Sequence, residues 1–205
     1  VGSAVVGGNT NRTRGNYSII GGGLSNETCL NVSFVGGGQQ NLANGVYATI
    51  AGGYLNNTSA YSFIGSGFKN TSSANYTVIG GGTLNTASTA CSFIGGGSAN
   101  KICNGGCNVI VGGKNNTSND TGVSFLGGGL NNSINSGNSR NVLVGGELNC
   151  ITGLNSLGTI VGGCANYVGG TSGDCYQFIG GGANNKTPSS YSSIVGGTLN
   201  TASAD

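Results

Sequence analysis

The stretch Ser18-Ile19-Ile20-Gly21-Gly22-Gly23-Leu24-Ser25-Asn26 contains the pattern that decides the fold of this chain. It reads as two residues, an aliphatic residue, one residue, Gly-Gly, two residues and Asn, and it returns, for example, at Ser92–Asn100. Thirteen copies run along the 205 residues, with successive asparagines 14 to 19 residues apart and Ser66 replacing one glycine. A short, nearly constant period indicates stacked structural repeats rather than a globular domain with a private core.

Composition excludes several classes of protein. The chain has 44 glycines, only 6% charged residues, a net charge of +2 and no histidine. Glycine is not at every third position, which excludes collagen, and regularly spaced aliphatic residues argue against disorder. Nucleic-acid binding needs clustered Lys and Arg, and a spanning helix needs about 18 consecutive apolar residues. The sequence therefore predicts no nucleic-acid partner and no membrane insertion.

The aliphatic position of the repeat is predicted to point into a continuous core. It holds Ile, Val or Leu in every copy, as expected of a buried strand position. After Val5 of the first copy, the predicted core ladder consists of Ile20, Val35, Ile50, Ile64, Ile79, Ile94, Ile110, Leu126, Leu143, Ile160, Ile179 and Ile194.

A second short strand is predicted just after each repeat asparagine. The residue two positions on is small or aliphatic in every copy, whereas the residue between tolerates charge, as in Arg12 and Glu27. This alternation is typical of a strand with one buried face. The expected fold is all-β, a parallel β-solenoid or β-roll of 13 repeats. It forms one domain over residues 1–205, which we expect to be an excerpt of a longer chain or fibre.

The repeat asparagine is predicted to occupy a corner of the coil. Asparagine tolerates left-handed backbone angles and bonds the backbone with its amide, and stacked asparagines can bond one another from coil to coil. The predicted corner residues are Asn26, Asn41, Asn56, Asn70, Asn85, Asn100, Asn116, Asn132, Asn149, Asn166, Asn185 and Asn200.

The residues on either side of the aliphatic anchor compensate each other in volume. Five phenylalanines each stand one residue before an anchor, namely Phe34, Phe63, Phe93, Phe125 and Phe178. In each of these copies, glycine is the residue after the anchor. Where the preceding residue is smaller, valine often follows, as in Val142 with Val144. Such compensation is typical of packed surfaces. It predicts that the second face of the strand meets another chain. The alternative is a monomeric solenoid whose coils contain two repeats.

The Ser-x-Ile-x-Gly core, as in Ser62-Phe63-Ile64-Gly65, resembles the YadA-like head repeats of trimeric autotransporter adhesins and the β-solenoid segments of viral and phage fibres. The resemblance covers the whole chain. It implies a left-handed parallel β-roll with one coil per repeat and three chains around one axis, hence a homotrimer. The chain departs from the adhesin pattern in its spacing, in the place of the aliphatic residue relative to Ser, and in its repeat asparagine.

No enzymatic chemistry is predicted. Without histidine the commonest acid, base and metal ligand is absent, and the acidic residues are far apart in sequence. The stretch 169–174 is similar to calcium-binding solenoid repeats, but it occurs once and holds one carboxylate. The sequence therefore predicts no catalytic residue, no cofactor and no metal site, and the resemblance supplies none.

Cysteine usage favours an oxidising compartment. Cys91 and Cys107 occupy the same repeat position in adjacent copies, so coils of one repeat would stack them about 4.8 Å apart, near the reach of a disulfide. We therefore predict a Cys91–Cys107 disulfide and an extracellular, cell-surface or virion-surface location. Metal binding is the competing interpretation, although no Cys-x-x-Cys pair is present.

Asn-x-Ser/Thr sequons are about twice as frequent as composition predicts. Those at the repeat asparagine are expected to be unavailable in the corner. Candidate glycosylation sites are the sequons in the variable segment, Asn16, Asn31, Asn75 and Asn119.

The variable segment lengthens toward the C-terminal half, at 103–107, 119–123, 135–140, 152–157 and 169–175. Insertions in solenoids lie along one edge and often form the binding face. Asp120, Arg140 and Asp174 are the candidate residues of such a binding ridge, which would contact a host receptor or glycan. The alternative is that these are inert surface loops.

Together these features predict a rigid structural or adhesive fibre segment that partners itself. One alternative is a self-assembling extracellular filament whose subunits stack head to tail, since repeats reach both ends of the sequence. Another is a ligand-binding or ice-binding solenoid, although a regular outward Thr array is not seen.

Overall fold

The computed structural model describes residues 2–154, 156–170 and 175–203, with the side chains of 156 and 175 excepted. The described chain is all-β, and every paired ladder in it is parallel. It divides into two compact units, Val1–Ala99 and Asn100–Asp205, and each is a β-solenoid. Over the described residues, no helix of sufficient length and apolarity to cross a membrane is found.

Two sheets make up the first unit. The strands that carry the aliphatic anchor form the anchor sheet, and those that follow the repeat asparagine form the second sheet. The anchor strands are β1 (Ala4–Val5), β3 (Ile19–Ile20), β5 (Phe34–Val35), β7 (Thr49–Ile50), β9 (Phe63–Ile64), β11 (Val78–Ile79) and β13 (Phe93–Ile94). The second strands are β2 (Arg12–Thr13), β4 (Glu27–Thr28), β6 (Leu42–Ala43), β8 (Asn57–Thr58), β10 (Thr71–Ser72) and β12 (Thr86–Ala87).

The second unit repeats this plan with four longer strands. Its anchor strands are β15 (Val109–Ile110), β17 (Phe125–Leu126), β19 (Val142–Leu143), β21 (Ser156–Ile160), β23 (Cys175–Ile179) and β25 (Ser193–Ile194). Its second strands are β14 (Lys101–Ile102), β16 (Thr117–Ser118), β18 (Ser133–Gly137), β20 (Cys150–Leu154), β22 (Tyr167–Val168) and β24 (Lys186–Thr187).

Strand register fixes the length of one coil. Ile20 pairs with Val35, its counterpart one repeat on, and Leu126 pairs with Leu143 in the same way. One repeat therefore makes one coil. The alternative of coils with two repeats is wrong, because neighbouring rungs of each ladder come from consecutive repeats.

The core lies between the two sheets of each coil. All twelve members of the predicted core ladder are buried, with no exposure from Ile20 to Ile179 and 7% at Ile194. Facing them, the second strands bury small residues such as Ala43 and Thr58 in the first unit, and larger ones such as Ile134 and Ile151 in the second. In the second strands, the position that holds small or aliphatic residues in the sequence is thus the buried position, as predicted.

A third parallel ladder, which the sequence did not predict, runs between the glycine pair and the asparagine. It consists of single-residue bridges, such as Leu24 to Gln39 and Gln39 to Tyr54 in the first unit. A one-residue rung leaves no alternation in the sequence, so periodicity cannot reveal it.

The corner asparagines from Asn26 to Asn185 are buried, whereas Asn200 is exposed. Asn41 donates through Nδ2 to the carbonyl oxygens of Gly37 and Gly53, at 3.0 and 2.8 Å, and to Oδ1 of Asn26 at 3.1 Å. Its Oδ1 accepts the backbone N–H of Asn56 at 3.1 Å. The predicted bonding of stacked asparagines from coil to coil is therefore present.

The prediction that the asparagine itself adopts left-handed angles is wrong. The residue before it does so, as with Ser25 (φ 56°), Gln40 (φ 53°) and Leu55 (φ 58°). The backbone N–H of Gln40 donates to the carbonyl oxygen of Leu24 in the preceding coil. Such bonds between successive coils hold the strained corner in place. The asparagine then points its amide inward.

The two glycines of the pair have different roles. Gly23 has φ +94°, and a Cβ there would lie 2.0 Å from the carbonyl oxygen of Gly38 in the next coil. By contrast, a Cβ on Gly37 would meet nothing within 4 Å. The second position therefore requires glycine because the backbone of the next coil approaches it closely, whereas the first position has room for a side chain. This explains why Ser66 stands at the first position and never at the second.

Candidate interaction surfaces

The outward face of the anchor sheet is apolar and uncharged. In the described anchor strands of both units, the outward residue beside the buried anchor is never Asp, Glu, Lys or Arg. In the first unit Phe34, Phe63 and Phe93 stand there, and each is 39 to 40% exposed. Phe125 and Phe178 hold the same position in the second unit and are similarly exposed. Exposed apolar faces of this kind mark interaction sites.

The volume compensation at this face has a cause within one chain. The ring of Phe34 lies along its own strand, so that Cε1 is 3.4 Å from where a Cβ on Gly36 would stand. The same holds for Phe125 over Gly127. Aromatic cover of a glycine at the edge of a sheet is a known stabilising device. The Phe–Gly pairs are therefore explained within one chain, and the meeting of this face with another chain stays a prediction. What favours a partner is the remaining exposure of these rings.

A column of tyrosines borders the phenylalanines in the first unit. Tyr47 and Tyr61 stack with ring centroids 5.3 Å apart, and Tyr61 and Tyr76 stack at 5.0 Å. The rings lie beside Phe63 and enclose with it an open groove of about 400 Å³. Sequence reasoning missed this surface, although the return of Tyr at one repeat position was its signal.

The second unit has a groove where its strands are longest. The extra residues of the long repeats do not simply form loops. Ser133–Gly137 pairs with Cys150–Leu154 over five residues, so the insertion extends the second sheet. Beside these arms lies a groove of about 450 Å³, lined by Asn135, Ser136, Gly137, Gly153, Leu154 and Gly170. Leu154 is largely exposed at its edge.

The predicted binding ridge is only partly supported. Arg140 is exposed, as a ridge residue should be. Asp120 is fully buried, where its carboxylate accepts bonds from the backbone N–H of Gly122 at 2.9 Å and from Nδ2 of Asn141 at 3.0 Å. Its assignment to an exposed ridge is wrong, because the side chain lies in the interior and bonds donors there. Asp174 lies outside the described residues.

The candidate modification sites differ in access. Asn16, Asn31 and Asn75 are exposed. Asn119 is half-buried, and its Nδ2 donates to Oδ1 of Asn135 at 2.8 Å, so the atom that would carry a glycan is engaged. Cys91 is exposed in the first unit and Cys107 in the second, and the disulfide between them stays a prediction.

Two other thiols are less reactive by position. Burial raises the pKa of Cys150, and burial followed by the nearby Glu27 carboxylate raises the pKa of Cys29, against the opposing charges of Arg14 and Arg12. Arg14 and Glu27 form an ion pair beside Cys29. Within the described residues, no group of three His, Cys, Asp or Glu side chains is placed to hold a metal ion.

Comparison with known proteins adds no assignment. No protein-family model matches the chain, and a search of curated proteins finds no significant match. What defines this chain is therefore its own geometry: a parallel β-solenoid with an uncharged, partly aromatic face.

Proposed function

We propose that this chain is a structural segment of a fibre outside the cell or on a virion, a rigid β-solenoid that supports or makes an adhesive contact. The observation that carries the proposal is the outward face of the anchor sheet. It presents Phe34, Phe63 and Phe93 at regular intervals, partly exposed and without a charge beside them on the strand. Exposed apolar faces of this kind mark surfaces where a protein meets a partner.

Stiffness comes from the hydrogen-bond ladders. Within each unit, the anchor strands, the bridge residues and the second strands pair with their counterparts in neighbouring coils. The buried asparagine adds side-chain bonds to the same stack, as Asn41 does to Gly37 and Gly53. A coil cannot tilt against its neighbour without breaking several of these bonds together, which suits a shaft that bears load.

Three copies around one axis are the assembly we propose. The side chains of the anchor face repeat regularly, at the strand spacing of about 4.8 Å. Another copy of the chain has the same spacing, so the phenylalanines of one copy can interdigitate with those of the next along the whole face. The absence of charge on the outward anchor positions removes like-charge repulsion between identical chains.

The adhesive contact is assigned to the groove beside the extended strands of the second unit. Gly137, Gly153 and Gly170 expose backbone there, and Asn135 and Leu154 add an amide and an apolar edge. Backbone and amide groups with one apolar contact suit an uncharged receptor segment or glycan. Arg140, exposed nearby in sequence, offers one positive charge.

Light scattering coupled to size exclusion tests the assembly. We expect one species near three times 20.0 kDa for the parent chain. The variant Phe34→Thr/Phe63→Thr/Phe93→Thr, which copies the natural Thr49, should run near 20.0 kDa with an unchanged β-sheet circular dichroism spectrum. Leu42→Thr on the second sheet is the matched control and should stay trimeric.

Two results would overturn the proposal. One is a parent chain that is monomeric at every concentration, since the exposed face would then need no partner. The other is a triple variant that still forms trimers. A polymer that grows with concentration would instead support the head-to-tail filament. Loss of cell attachment after Leu154→Ser, with the trimer intact, would assign the adhesive contact to the groove.

A further inference from the structure

We propose that the stacked tyrosines are a site of oxidative cross-linking, where a dityrosine bond joins one coil of the solenoid to the next. Three tyrosine pairs meet the geometry. Tyr47–Tyr61 and Tyr61–Tyr76 lie in the first unit, and Tyr176–Tyr191, with centroids 5.4 Å apart, lies in the second. This inference does not depend on the proposed fibre function, because it concerns neighbours within one chain.

The backbone holds these rings in place. Tyr47, Tyr61 and Tyr76 all have left-handed φ values, between 54° and 59°. The N–H of Tyr61 bonds the carbonyl oxygen of Val46 at 2.9 Å, which fixes the corner of one coil on the corner before it. The rings are therefore stacked by the fold, with interplanar angles of 17° to 20°, rather than by chance encounter.

Access and reaction distance both favour the chemistry. Tyr47, Tyr61 and Tyr76 are 45 to 57% exposed, so an oxidant in solution reaches each phenol. Because about half of each side chain is exposed, we expect the rings to rotate about their side-chain bonds. Small rotations bring the ring carbons beside the hydroxyl groups of two neighbours into contact.

The oxidant is a peroxide activated by a haem peroxidase. Each of two phenols loses one hydrogen atom, as an electron and the hydroxyl proton, and becomes a phenoxyl radical. The radicals couple through the ring carbons next to the oxygen, forming one C–C bond. The hydrogen on each joined carbon then moves to oxygen and restores the two phenols. One peroxide molecule takes up the two hydrogen atoms and yields two water molecules.

The same structure contains its own controls. Tyr54 stacks on Phe68 at 5.4 Å, the same arrangement with only one phenol. Tyr17 holds the tyrosine position of its coil, but the next coil carries Val32 there. Neither residue has a stacked tyrosine neighbour, so neither should cross-link.

Tyr61 belongs to both pairs of the first unit and can couple with only one neighbour at a time. The full chain is therefore expected to form two cross-links, one in each unit. Tyr61→Phe keeps the stack and removes the shared phenol, so the yield should fall to about half. Tyr61→Phe/Tyr191→Phe should abolish it. Phe68→Tyr gives Tyr54 a tyrosine partner and should raise the dityrosine yield to about one and a half times that of the parent chain.

The experiment treats the thiol-alkylated full chain with horseradish peroxidase and limiting hydrogen peroxide. Dityrosine is measured by its fluorescence after hydrolysis, and the joined peptides are identified by mass spectrometry. Denaturing gels separate cross-links within one chain from those between chains. Tyr17→Phe and Tyr54→Phe should match the parent.

The expected result is dityrosine in peptides that contain adjacent tyrosines of one chain, together with a higher melting temperature after treatment. Equal yield from the parent and from Tyr61→Phe/Tyr191→Phe would overturn the proposal. So would products found only between chains, because the stacked pairs would then have no part in the reaction. Unchanged circular dichroism of each variant before treatment shows that a lost product is not a lost fold.

Discussion

The ring of Phe63 covers Gly65, the residue just beyond strand β9, with Cε1 3.5 Å from the position of a Cβ on that glycine. The pairing of a large residue with glycine, visible in the sequence, is therefore a contact between residues two positions apart. In the coils that carry this pair, the ring packs on a residue of its own coil. At the same time the ring keeps an exposed edge for a partner.

A double-mutant cycle at these two residues should show strong coupling. Phe63→Val removes part of a half-exposed ring and should cost about 1 kcal/mol of unfolding free energy. Gly65→Val should cost more, because it pushes on the ring and also places a Cβ 2.2 Å from the carbonyl oxygen of Gly80. The double variant copies the natural pair of Val142 with Val144 and has no ring conflict, so it should be about 1 kcal/mol more stable than the sum predicts. Urea unfolding measures this, and additive costs would contradict it.

Neighbouring glycines should respond very differently to substitution. Gly82 has φ +90°, and a Cβ would stand 2.1 Å from the carbonyl oxygen of Gly97. Gly82→Ala should therefore lose about 3 kcal/mol through strain and overlap. A Cβ on Gly81 lies 3.5 Å from the nearest atom, in Ser66, and Gly81→Ser copies that natural residue. Its cost should stay within about 0.5 kcal/mol by thermal unfolding, and equal losses would show that close approach is not the cause.

The strands and the core follow from periodicity alone, but the coil length does not. The spacing of Ile20 and Val35 fits coils of one or of two repeats, and only the register of the strands shows that one repeat makes one coil. The corner could be predicted only in part. The sequence marks Asn41 as invariant across repeats, but the left-handed strain falls on Gln40, whose identity varies and carries no signal.

The surfaces were harder to predict for a physical reason. Whether a polar residue turns inward depends on donors supplied by other coils, and these are distant in sequence. Asp120 shows this, since Asn141 from a later coil contributes the bond that keeps its carboxylate buried. The stack of Tyr61 on Tyr76 likewise depends on rotamers that repeat position does not specify.

Replacement of a corner amide by a carboxylate should destabilise the fold in a pH-dependent way. In Asn41→Asp the three bonds from Nδ2 to Asn26, Gly37 and Gly53 become contacts between acceptors. We expect a loss of at least about 3 kcal/mol at pH 7. The fold favours the protonated acid, so its pKa is raised and the deficit should shrink as the pH falls below about 4.

The control for this prediction is Asn57→Asp, one residue beyond the next corner on the partly exposed side of the second strand. It should unfold within about 0.5 kcal/mol of the parent at both pH values. Chemical unfolding at pH 7 and pH 3.5 measures both variants. A pH-independent deficit in Asn41→Asp would show that the amide hydrogens are not what the corner needs.

Glycosylation should distinguish two sequons that lie five positions apart. Asn75 is exposed, whereas Asn70 is fully buried and donates through Nδ2 to Gly82 at 2.9 Å and Ser66 at 3.1 Å. In a glycosylating secretory host, the folded product should carry glycan at Asn75 and none at Asn70. Peptide mapping with and without glycosidase checks this, with Asn75→Gln as the control for site assignment. Glycan on Asn70 in folded protein is the contrary result.

Thiol alkylation should report the raised pKa of Cys150. Burial disfavours its thiolate relative to the ordinary pKa of 9.0, whereas Cys164 in the same unit is exposed. At pH 8 iodoacetamide should modify Cys150 about tenfold more slowly than Cys164, and the two should react alike in denaturant.

The raised pKa of Cys150 also makes stability depend on pH. Because the folded pKa is raised, the contribution of the neutral thiol to the free energy of unfolding is fully present below pH 9.0, and stability should fall as the pH rises above that value. Cys150→Ser should lessen this alkaline loss, as unfolding at pH 8 and pH 10 will measure, and mass spectrometry follows the alkylation. Equal alkylation rates in the native chain would mean that Cys150 is not shielded by the solenoid.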